Sequence, residues 1–117
     1  MQDGIYNAKV NSTSLGYEDH GILTAFVHLD YSGSSQGFGG YSLDSPSIDR
    51  EVSRNRLPHL ACGHFIMGVL RVTKASDWES VKGCVVRARV EDGFVCALGH
   101  FMDDDWFCPK EEFKGYK

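Results

Sequence analysis

Glu18, Asp19 and His20 stand side by side in the chain. Two carboxylates next to an imidazole are the residue types that ligate a divalent ion or exchange protons with a substrate. No established ligand spacing accompanies them, so no metal is expected; were one to bind, Asp19, His20 and His28 are the set it would use. A charged hairpin loop is the simpler reading of the same three residues. Gln36-Gly37-Phe38-Gly39-Gly40-Tyr41 is a second unusual stretch. Closely spaced glycines let backbone amides approach a phosphate or a partner surface. No Gly-Lys-Ser or Gly-Lys-Thr follows and no helix start succeeds the glycines, which removes a P-loop and a dinucleotide fingerprint. The structural alternative is a kinked strand in which Phe38 and Tyr41 pack and the glycines clear space.

Other chemistry is weaker still. Cys62 and His64 are two apart on an expected helix, a spacing that points them to different faces. A Gly-x-Ser-x-Gly elbow is missing, so Ser-His-Asp chemistry has no support. The four cysteines, Cys62, Cys84, Cys96 and Cys108, contain no C-x-x-C pair and read as small reduced side chains packed inside. Asp103-Asp104-Asp105 followed by Trp106-Phe107 combines acids with aromatics, a pairing that suits an interface anchor as well as a solvated loop. No catalytic residue and no cofactor is assigned.

Length and composition bound the rest. A chain of 117 residues with 42% hydrophobic and 24% charged residues is one ordinary folded domain. Twelve basic against sixteen acidic residues give a net charge of −4, which argues against direct nucleic-acid binding. No long apolar run and no basic-then-apolar start is seen, so no membrane span and no secretion signal are expected.

The elements expected to position these residues are two strands at 4–12 and 22–31, a helix at 60–73, a short turn of helix after Ser76, and a hairpin of 84–91 with 94–101. In Ile22–Tyr31 one face carries Leu23, Ala25, Val27, Leu29 and Tyr31, the alternation of a half-buried strand. Residues 13–21 are polar and read as an elaborated connection. Phe65, Ile66, Val69, Leu70 and Val72 form a stripe at helical spacing, with Pro58 as its start. Ser76-x-x-Glu79 fits a capping box. Asp92-Gly93 is a hairpin turn signal that pairs Val90 with Val95, Ala88 with Ala97, Val86 with Gly99 and Cys84 with Phe101. The expected fold class is α+β: a mostly antiparallel sheet with one main helix packed on it, a mobile loop at 42–57 and a loose tail at 110–117.

Ser14-Leu15-Gly16-Tyr17-Glu18-Asp19-His20-Gly21-Ile22 and Gln36–Tyr41 resemble a family of small proteins encoded by phages and prophages. The similarity extends to the helix around Phe65–Val72, Asp77-Trp78-Glu79 and the Gly99–Phe107 end, and is least across 42–57. The family brings no established activity. The resemblance implies an accessory protein in the host bacterial cytoplasm that binds and inhibits a host defence protein, such as a CRISPR-Cas component. The residues expected to touch that partner are Glu18, Asp19, His20, Phe38, Tyr41, Asp103, Asp104, Asp105 and Trp106. The alternative is a metal- or nucleotide-binding enzyme, or a ligand-sequestering sponge, built on Glu18-Asp19-His20, His28 and the glycines.

Overall fold

The computed structural model describes residues 2–46 and 56–116. The fold is α+β. Its sheet has six strands: β1 (Gly4–Asp19), β2 (Ile22–Tyr31), β3 (Ser34–Gly39), β6 (Val85–Glu91), β7 (Phe94–His100) and β8 (Trp106–Phe107). They run β3-β2-β1-β6-β7-β8, so two meanders meet where β1 pairs antiparallel with β6. Between the meanders lie β4 (Asp44–Pro46) paired with β5 (Arg56–Pro58), the main helix α1 (Leu60–Thr73), and a 3₁₀ turn at Glu79–Val81. A short helix, α2 (Pro109–Glu112), follows β8.

β2 behaves as its alternation demands. Ala25, Val27, Leu29 and Tyr31 are buried and join the core. β1 differs from expectation. Residues 13–19 continue the strand instead of forming a loop, and the chain reverses at His20-Gly21, where φ is 53° and 81°. Positive φ at both central residues is the signature of the tight turn that matches strand twist. A polar segment can still be a strand when neither face is buried; here the arm is held by the β2 ladder along one edge, and water serves the other.

The sheet curls until its first strand approaches β7, and a side chain closes the gap. Gln36 of β3 donates from Nε2 to the Gly93 carbonyl (2.9 Å) and accepts at Oε1 from the Val95 amide (2.7 Å). An amide side chain thus stands in for one peptide of a missing ladder. Inside the curl, Phe38, Phe65, Leu98 and Phe107 are fully buried with Val10, Val69, Val72 and Val86. Gly68 on α1 leaves the space that the Phe107 ring fills: a Cβ there would lie 2.7 Å from the ring.

Within the glycine-rich stretch, Gly39 and Gly40 clear space for close packing. A Cβ on Gly39 would collide with the Ala25 carbonyl, and one on Gly40 would meet the Phe26 ring at 2.8 Å. Phe38, expected at a partner surface, is 0% exposed and stacks on Phe65 at 5.8 Å. A ring so enclosed packs the core and is not available to a partner.

Four further local expectations are corrected. α1 is capped by His59, whose Nδ1 accepts from the Ala61 amide (2.9 Å), and Pro58 lies just before the cap in β5. At the 3₁₀ turn the capping oxygen is Asp77 Oδ1, which accepts from the Ser80 amide (2.7 Å), not that of Ser76. In the hairpin, Asp92 and Gly93 do adopt positive φ, but a bulge at Cys96 shifts the ladder. Val90 still meets Val95, whereas Ala88 meets Leu98 and Val86 meets His100. The tail is docked: Phe113 and Tyr116 pack against the core behind α2. Proline at its first position starts the four-residue helix, and Phe113 and Tyr116, three apart in the turn that follows, supply the apolar contact. Of the 42–57 stretch, Leu43 and Asp44 are buried; residues 47–55 lie outside the described residues. No helix among the described residues is long and apolar enough to cross a membrane.

Candidate functional site

The bulge at Cys96 has its main effect at the far end of β7. In an unbulged hairpin Phe101 faces the core; with the extra residue, Leu98 takes the inward position and Phe101 falls beyond the strand. Phe101 is 45% and Met102 81% exposed, at the head of the connection to β8.

That connection is tightly braced. His100 donates its amide to the Asp105 carbonyl (2.9 Å), closing the loop at its base. Its ring Nδ1 accepts from the amides of Met102 (3.1 Å) and Asp103 (2.9 Å). Arg87 on β6 donates to the carbonyls of His100 (2.9 Å) and Asp103 (2.8 Å), while Arg71 on α1 donates to Asp105 Oδ1 (3.1 Å) and the Trp106 carbonyl (2.9 Å). The backbone of this mostly exposed loop is thus held by side chains from three elements, β6, β7 and α1. Trp106 lies flat over Gly99, where a Cβ would be 2.7 Å from the indole, and the guanidinium carbons of Arg87 and Arg89 sit 4.9 and 4.6 Å from its centroid.

The residues expected at an interface therefore separate. Asp103 and Asp104 are exposed at this corner, beside Phe101 and Met102. Asp105 turns inward to Arg71 and Lys74, and Trp106 is half-buried between two arginines. Tyr41 is half-buried against Phe65 and Phe113, and burial pushes its phenol pKa up. The turn at His20 is remote from the corner, since β1 leaves β6 near Lys9 and runs on to Asp19 with β2 alone. The side chains of Glu18 and Asp19 lie outside what the structure describes. His28 is not near that turn either: it stands six residues from Ile22 along β2, about 20 Å at ~3.3 Å per residue. Asp19, His20 and His28 thus cannot share one ion, and no other metal-holding group exists among the described residues.

A second polar constellation was not anticipated. The docked tail brings Tyr116 Oη to 2.8 Å from His64 Nδ1 and Glu112 Oε1 to 3.0 Å from His64 Nε2. Glu112 is itself oriented, because its Oε2 accepts from the Cys108 amide (3.1 Å) and lies 3.8 Å from Arg71. Tyr116 also lines a cleft of about 340 Å³ with Ser42, Asp44, His59, Ala61 and Phe113. Sequence reasoning missed this set because it treated the tail as loose; Phe113 and Tyr116 three apart behind Pro109 were the available signal. It missed Phe101 and Met102 because the bulge leaves no mark in the alternation.

Comparison with known protein families, curated proteins and solved structures gives no match to this chain.

Proposed function

We propose that this protein acts by binding another protein through the Phe101–Asp104 corner, as a phage or mobile-element accessory factor that inhibits a host bacterial defence protein of the CRISPR-Cas kind. The observation that carries the binding role is an apolar pair held out in water by a loop braced with seven hydrogen bonds. A connection that had only to join two strands needs no such bracing and has no use for exposed Phe and Met. A loop already held in place lowers the ordering cost of association, and Phe and Met are residue types enriched at interface cores. Asp103 and Asp104 beside them favour a partner whose apolar pocket has a basic rim. The same acids, with a net charge of −4, disfavour nucleic acid as the direct target. The phage setting rests on the resemblance of the Ser14–Ile22 and Gln36–Tyr41 segments.

The test is a plaque assay in bacteria whose CRISPR-Cas system targets the infecting phage. Expression of the wild-type chain should raise plaque counts. The double variant Phe101→Ser/Met102→Ser should lose that effect while retaining its thermal unfolding midpoint. Plaque counts unchanged by the wild type would remove the CRISPR reading, and full activity of the variant would place the contact elsewhere.

A further inference from the structure

We propose that Tyr116 is a nucleophile activated by His64, with Glu112 as the positioning residue, and that its cleft accepts a small activated acyl donor. The arrangement meets the general requirement for an activated side-chain oxygen: a base within hydrogen-bond reach, held in turn by a third group. Glu112 accepts from Nε2–H, which leaves Nδ1 as the acceptor for the phenol proton. The imidazole is held on its sides by Phe107 at 5.9 Å, Phe113 at 5.0 Å and Tyr116 at 5.7 Å. It has one orientation, and that orientation aims Nδ1 at the phenol oxygen.

In the reaction, the phenol proton passes to His64 Nδ1 as the oxygen attacks the acyl carbon. The bond to the leaving group then breaks, and the proton on His64 goes to that group, giving O-acyl-Tyr116 and a free thiol or phenol. Water, deprotonated by the same imidazole, releases the acid and restores Tyr116. Leaving-group chemistry limits the donor. A phenol ionises near ~10, so its oxygen displaces a thiolate or another phenolate but not an alkoxide. The substrate class is therefore a thioester or aryl ester, not an alkyl ester. The cleft suits a small acyl chain, with Phe113 and Ala61 as apolar walls.

Incubation of the full chain with p-nitrophenyl acetate, read by intact mass and peptide mapping, tests this. Tyr17, 42% exposed on the β1–β2 arm, is the internal reference. Tyr116 should acetylate about 100-fold faster than Tyr17, within the range a positioned base supplies. Tyr116→Phe keeps the ring and should abolish the adduct. His64→Gln keeps an acceptor toward the phenol but no base, and should bring the rate close to that of Tyr17. If His64→Gln no longer melts cooperatively, Glu112→Gln replaces it and should slow the reaction about tenfold. Equal labelling of Tyr116 and Tyr17 in the wild type overturns the proposal, as does a wild-type rate in a folded His64→Gln or Glu112→Gln protein.

Discussion

The braced corner and the docked tail each centre on a histidine, and the partners of that histidine set the two regions apart. At the corner, His100 Nδ1 accepts from two backbone amides, with the Asp103 carboxylate farther off at 3.6 Å, so the ring shapes a loop. Under the docked tail, both nitrogens of His64 meet side chains that can gain or lose protons. A histidine facing backbone serves geometry, whereas one between a phenol and a carboxylate is arranged for proton movement. Phe107 joins the regions, since it follows Trp106 of the corner and its ring lies beside His64.

That shared wall gives the largest expected effect. Phe107→Ala should cost about 3–5 kcal/mol in urea unfolding and collapse the distinction, because both regions lose the surface they lean on. A loss under about 1 kcal/mol would mean that the corner and the cleft are held independently of it.

The next pair separates the regions. Arg87→Ala should speed hydrogen exchange at the Met102 and Asp103 amides about tenfold or more and leave Cys108 unaffected, since it removes two charged donors worth roughly 1.5–3 kcal/mol each at most. His64→Ala should do the reverse, exposing the amides of 108–116 and sparing those of the corner. Parallel changes in both variants would show one cooperative unit in place of two.

Thiol reactivity sharpens the cleft side. Burial, with the Asp44 carboxylate as a lesser cause, pushes the Cys62 thiol up; burial, with Glu91 and Cys108 next, does so for Cys96. Both should therefore alkylate with iodoacetamide more slowly at neutral pH than glutathione, and Tyr116→Ala, which opens the tail, should accelerate Cys62 more than Cys96.

The smallest effect lies outside both regions. Hydrogen bonds from the Ser80 side chain and amide hold the Asp77 carboxyl below its ordinary range. A depressed folded value means that its stabilisation is present above about pH 4 and is lost as pH falls through the folded value. Wild type should lose slightly more melting temperature than Asp77→Ala on acidification below about pH 4. Equal losses would show that the cap adds nothing.

The legible parts of this protein are those where one local signal decides. The helix spans Leu60–Thr73, the bounds its apolar stripe predicts, because the period through Phe65 and Val69 has no competitor. β2 and the Asp92-Gly93 turn were equally plain. Candidate site residues are less legible. Phe38 and Trp106 are aromatics whose exposure depends on what lies opposite, and Asp105 is an acid whose partners come from α1, over thirty residues away.

The sequence by itself determined the α+β class, the main helix, the β2 face and the hairpin turn, because hydrophobic period and turn chemistry act over a few residues. Only the tertiary structure decided three things: that one bulge at Cys96 presents Phe101 to solvent, that Gln36 closes the curled sheet, and that the tail carries Tyr116 and Glu112 to His64. Each depends on contacts between segments far apart in the chain, and such contacts leave no periodic trace in the residues that make them.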